Sequence, residues 1–149
     1  MHMHEHEQQG LTQVGRRWRT RERVVERTEM IDFAHRWDPL PAHIDEQAAR
    51  TSRFGDVIAS GLFTLAIYQR LAAEDVYAGQ PIVAARRLRE VRFIRPLFAG
   101  ERVSAVIEVV HSQEGRGGGL DVTVRGALVA GADDEVLTLE VDLVLAGSM

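Results

Sequence analysis

At 149 residues with 45% apolar composition, the chain is long enough for one core that buries roughly two-thirds of the surface exposed on unfolding, so a single domain is expected. A net charge of −4 argues against a nucleic-acid scaffold, because counterion-release binding needs a clustered basic face. Cysteine is absent, which excludes disulfides, thiolate catalysis and Cys-ligated zinc.

No uninterrupted apolar run approaches the roughly 18 residues of a membrane span, and the first residues lack the apolar segment of a secretion signal. A soluble, cytoplasmic protein is therefore expected. All 18 basic residues are Arg. This fits codon bias in a GC-rich genome, or a use of Arg in bidentate phosphate contacts.

Residues 1–13 are polar and carry His2, His4 and His6 in alternation. Three imidazoles on one side of an extended segment could hold a stray metal ion, but no carboxylate is placed to fix them, and the segment reads as a flexible tail. From Trp18 to Val25, apolar residues alternate with Arg, predicting a first strand at a sheet edge. Met30, Ile31, Phe33, Ala34 and Trp37 then recur at helical spacing from about Arg27, and Pro39 and Pro41 stop that helix.

Between this helix and the next sit Asp38 and His43, an acid and an imidazole in the segment Asp38-Pro39-Leu40-Pro41-Ala42-His43-Ile44-Asp45. The two prolines reduce the freedom of the backbone between them, which lowers the entropy lost in holding two reacting side chains in register. Asp45 suits the cap of a short helix from Glu46 to Thr51. Ile58 to Ala73 follows, apolar nearly all round, which predicts a buried helix of roughly 24 Å at 1.5 Å per residue.

Everything after Gly79 reads as strand. Leu137, Leu139, Val141, Leu143 and Leu145 alternate with Val136, Thr138, Glu140, Asp142 and Val144, a period of two. Similar alternation runs through Val103 to Val109 and Leu120 to Val124, with turns at Gly115 to Gly119 and Gly131 to Asp134. The glycine cluster joins two strands and opens no helix, so it reads as a hairpin loop and not as a phosphate cradle. The expected architecture is α+β, one helix packed into an antiparallel sheet.

Phe33-Ala34, the Asp38-to-Asp45 segment, Ala48, Phe54-Gly55 and Ile58-Ala59-Ser60-Gly61, followed by Val91-Arg92-Phe93-Ile94-Arg95-Pro96-Leu97-Phe98-Ala99-Gly100-Glu101-Arg102-Val103, resemble the MaoC-like dehydratases, or R-specific enoyl-CoA hydratases. The resemblance implies a hot-dog fold over residues 14–149 and addition of water to the 2,3 double bond of an acyl-CoA thioester, or its removal. It implies that Asp38 and His43 jointly hold the water and that the backbone N–H of Gly61 binds the thioester carbonyl oxygen. A helix N-terminus supports that last role physically, since it presents unpaired N–H groups and a positive dipole where enolate charge builds.

Ser60, Leu62 and Phe63 are the expected substrate contacts, and Arg87 and Arg89 the expected contacts to CoA phosphates. CoA arrives as part of the substrate, with no separate cofactor and no metal. A homodimer or a dimer of dimers is expected, with no nucleic-acid or membrane partner. Two departures stand out: Leu40 replaces an Asn common in the family, leaving the acid to be positioned by loop rigidity or another group, and Gln69 stands where some hydratases have Ser. A hot-dog thioesterase and a non-catalytic acyl-CoA-binding subunit remain open alternatives.

Overall fold

Alternating strands follow one apolar helix along the chain, and the computed structural model, which describes residues 10–147, shows what that order builds. The elements are β1 (Arg17–Arg19), β2 (Arg23–Val24), α1 (Arg27–Trp37), α2 (Pro41–Ile44), α3 (Glu46–Arg50), α4 (Gly61–Ala72), β3 (Ile82–Phe93), β4 (Arg102–Glu114), β5 (Leu120–Ala130) and β6 (Asp134–Leu145). The sheet runs β1-β4-β5-β6-β3, with β2 also on β4, and every pairing is antiparallel. Its concave face holds α4, whose Phe63, Ile67, Tyr68 and Leu71 meet Ile107, Val124, Leu139 and Val141 in one core.

Period two explains the sheet's two faces. Leu137, Leu139, Val141, Leu143 and Leu145 of β6 are buried, while Thr138, Glu140, Asp142 and Val144 are only partly covered on the convex side. Val136, expected with the latter, is buried too, because the register against β5 slips between Leu128 and Val129 and leaves it as the extra residue. One close approach fixes the depth of α4: a β-carbon at Gly126 in β5 would overlap the Tyr68 hydroxyl. Only a residue without a side chain lets the helix sit this near the strand.

Several expectations need adjusting. The segment from Trp18 to Val25 forms two short strands, because Thr20 interrupts the ladder: its hydroxyl accepts from the Ala105 N–H at 2.9 Å while its own N–H donates to the Ala105 carbonyl at 2.9 Å. Helix α4 begins at Gly61 and not at Ile58, and it ends in a π-turn over Ala73–Tyr77. It is not covered all round, since Leu62 is 52% exposed and Ala66 and Gln69 also lie open. Packing begins before position 14, because Leu11, in a 3-10 turn at Gly10–Thr12, is fully buried in the core. The triad of His2, His4 and His6 lies outside the described residues.

Strand β3 departs most from regularity. Its register against β6 shifts three times, and Glu90 takes a positive φ of 52° at the third irregularity. Such bulges bend an edge strand and increase its twist. Every Arg–carboxylate pair on the surface uses a guanidinium, as in Arg21–Asp75, Arg27–Asp56 and Arg89–Asp142. Among the described residues, no helix is long and apolar enough to cross a membrane.

Candidate active site

The acid and the imidazole are placed by the end of one helix and the start of another. Asp38 caps α1, its N–H donating to the Ala34 carbonyl at 2.8 Å. Pro39 cannot continue that helix, and Pro41 sits at the first turn of α2, where a missing N–H costs nothing. His43 thereby turns back toward Asp38.

Two bonds tie this turn to the chain ahead of α4. The Ile58 N–H donates to the Ala42 carbonyl at 3.1 Å, and the Ile58 carbonyl lies 2.9 Å from His43 Nδ1. A carbonyl only accepts, so Nδ1 carries a proton. Nε2 faces Asp38 Oδ2 at 3.5 Å, with the two side chains 11% and 25% exposed, close enough that one water beside the pair can touch both.

Ser60 completes the geometry from the third side. Its hydroxyl donates to Asp38 Oδ2 at 2.6 Å and accepts the Leu62 N–H at 3.2 Å, so one fully buried side chain both caps α4 and holds the acid. Ser60 thus holds the Asp38 carboxylate, whereas Leu40 bonds Asp38 only through its backbone, its N–H donating to the Asp38 carbonyl at 2.8 Å.

Residue 59 is pinned separately, its N–H donating to the Leu97 carbonyl at 2.9 Å. The segment around Leu97 is clamped in turn. Arg95 bonds Glu101 at 2.7 and 3.0 Å and Asp134 at 2.9 Å, and Glu101 accepts the Phe98 N–H at 2.9 Å. Burial pushes the Glu101 carboxyl up, but the bonds from Arg95 and Phe98 outweigh it and hold the group below its ordinary range.

Of the first N–H groups of α4, those of Leu62 and Phe63 have acceptors on Ser60. That of Gly61 has none among the described residues. It borders a cleft of about 660 Å³ that Asp38, His43, Leu62, Phe54, Phe93 and Arg95 also line. A β-carbon at Gly61 would stand 2.9 Å from the Phe93 ring, so glycine keeps the entry to this N–H clear. Leu62 borders a second, apolar cavity of about 560 Å³ reaching to Gln69 and Tyr77.

The structure therefore brings Asp38, His43, Gly61 and Leu62 to one cleft. It places the others differently. Ser60 lies beneath the cleft, bonded to Asp38. Phe63 is buried against Phe33, with ring centroids 5.3 Å apart. Arg87 and Arg89 line a separate groove on the convex face, where both bond Asp142 and Arg89 also meets Glu140. A bulge between Ala85 and Arg87 puts Arg86 into the same groove. Among the described residues, no three His, Asp or Glu side chains converge as a metal site would need.

An antiparallel sheet curled around one helix, with an acid, an imidazole and a free N–H gathered near the start of that helix, is the hot-dog architecture. Comparison with known proteins agrees: residues 9–130 match the family described as MaoC like domain, and the chain belongs to it. It is 32% identical over 103 residues to the uncharacterized protein YdeM of Bacillus subtilis, covering 69% of this chain and 73% of that one. It is 33% identical over 92 residues to 3-hydroxyacyl-thioester dehydratase Z of Mycobacterium tuberculosis, covering 60% and 58%. The structure of a MaoC-like dehydratase from Rhodospirillum rubrum superposes with a TM-score of 0.81 at 25% identity, covering 92% and 94%.

Proposed function

We propose that this protein is a cytoplasmic hydro-lyase that adds water to the 2,3 double bond of an acyl-CoA thioester, giving an R-3-hydroxyacyl-CoA, or removes it. The observation that carries this reading is the meeting of Asp38, His43 and the unengaged Gly61 N–H in one cleft. A dehydratase of 3-hydroxyacyl thioesters among its relatives supports it.

In this reading the water lies beside the pair, within reach of both His43 Nε2 and Asp38. One of the pair takes a proton from it as oxygen attacks C3, and the dyad returns a proton to C2, so the sum is one water across one double bond. Charge builds on the thioester oxygen, where the Gly61 N–H and the positive end of α4 stabilise it. The chemistry is proton transfer without redox, so no cofactor is required beyond the CoA that the substrate carries. The open edge of β3, with Val83 65%, Leu88 48% and Phe93 53% exposed, supports assembly as a homodimer through that strand.

The test is hydration of crotonyl-CoA, followed by loss of the enoyl-thioester absorbance with a parallel assay for thiol. Asp38→Asn and His43→Ala are each expected to lower turnover roughly 10²–10⁴-fold, with an R-configured product from the wild type. Release of thiol without hydration would make the protein a thioesterase instead.

A further inference from the structure

We infer that Arg53, standing over Phe54 at the outer end of the catalytic cleft, captures a phosphate of the carrier arm to which the acyl group is attached. The inference rests on the acyl-thioester reading above and adds a binding group to it.

Charge accounting along the cleft leads to this residue. Arg86, Arg87, Arg89 and Arg92 each hold a carboxylate, among Asp121, Asp142, Glu140 and Glu90, and none of them lines this cleft. Arg95 does line the cleft, but Glu101 and Asp134 both hold it. Arg53 lines the same cleft, and among the described residues no carboxylate pairs with it. An unneutralised guanidinium beside a substrate cleft is a ready partner for an anion, and its fork of donors matches a phosphate.

The local structure also holds it in place. Its guanidinium carbon stands 5.7 Å from the centroid of the Phe54 ring, a cation–π distance, and Phe54 is 40% exposed. The turn beneath is fixed by the Phe54 N–H donating to Ser52 Oγ at 3.2 Å and the Gly55 N–H donating to the Ser52 carbonyl at 3.1 Å. Gly55 adopts the φ of +74° that this turn needs. Asp56, next in sequence, is tied to Arg27 at 2.8 and 2.9 Å.

Polarity runs the right way along the cleft. Asp38, with its side chain 25% exposed, disfavours a phosphate beside it, while Arg53 is exposed on the same cleft. A thioester whose reacting carbons lie by Asp38 and His43 would therefore leave with its anionic arm toward Arg53. That phosphate belongs either to free CoA or to the phosphopantetheine of an acyl-carrier protein.

The experiment is calorimetric titration of wild type, Arg53→Gln and Arg53→Lys with pantetheine, 4′-phosphopantetheine and CoA. None carries an acyl group, so the result stands whether or not crotonyl-CoA is hydrated. Arg53→Gln is expected to weaken a phosphate-bearing ligand about tenfold, equal to about 1.4 kcal/mol, with Arg53→Lys between it and wild type and pantetheine affinity unmoved. A loss shared by 4′-phosphopantetheine and CoA assigns the contact to the arm phosphate common to both carriers; a loss with CoA alone assigns it to the nucleotide phosphates of free CoA. Wild type binding CoA no more tightly than pantetheine, or Arg53→Gln weakening pantetheine equally, overturns the proposal.

Discussion

A single hydroxyl, that of Ser60, serves two masters: it caps α4 through the Leu62 N–H and holds Asp38 Oδ2. Ser60→Ala removes both bonds from a fully buried position. It is expected to cost about 1 kcal/mol of stability through the lost cap and to lower crotonyl-CoA turnover by roughly tenfold or more through misplacement of the acid. Denaturant melts and kcat measured on the same preparation check both, and a cap loss without a kcat loss would leave Asp38 positioned by its loop alone. Ser60 is legible in the sequence as a helix cap, since Ser before an apolar helical run is a start signal. Its bond to Asp38, 22 residues away, is not, because nothing in local spacing records which residue a side chain meets across the fold. The same applies to the Ile58 carbonyl that sets the His43 tautomer.

Element boundaries shift where tertiary hydrogen bonds outbid local pattern. Ile58 and Ala59 are apolar and extend the helical period backward, yet their N–H groups bond the carbonyls of Ala42 and Leu97 and Ser60 takes an extended ψ of 141° as the N-cap, its side chain accepting the Leu62 N–H, so α4 starts at Gly61. Likewise, alternation along β3 predicts which Arg share a face only until a bulge inserts a residue. The order of elements and the long strands were readable because period two and period 3.6 are strong signals over ten residues or more. The seating of α4 on β5 was not readable, because it depends on Gly126 meeting Tyr68. Gly126→Ala is expected to destabilise the fold by about 1–3 kcal/mol through overpacking. Because the Tyr68 hydroxyl makes no well-formed hydrogen bond in the core and has only a loose contact with the Tyr77 hydroxyl, Tyr68→Phe is expected to be neutral or stabilising, and the double variant to recover part of the Gly126→Ala loss, since ring carbons 2.5 and 2.7 Å from the added β-carbon still crowd it. Urea melts of the four proteins make the double-mutant cycle, and strict additivity would refute the contact.

For the molecule as a whole, the ion pairs set how stability depends on pH. Hydrogen bonds from Arg27 and the Val57 N–H hold the Asp56 carboxyl at about 2, against an ordinary value of 3.8, and those from Arg89 hold Asp142 lower still. Asp75 and Asp134 are lowered by Arg21 and Arg95. A carboxyl depressed by folding adds stability that is complete above its unfolded value and is lost as pH falls through its folded one. Melting temperature is therefore expected to hold from neutral pH down to about 5 and then decline steadily toward pH 2, which scanning calorimetry across that range reads directly; a flat profile would mean that the pairs are screened out. On the alkaline side guanidinium stays charged, and the buried Tyr77 phenol, pushed up to about 12 by burial, resists ionisation. Building every such pair from Arg has a chemical consequence as well. On the proposed reading the substrate is an activated thioester, and this chain offers it no lysine amine to acylate.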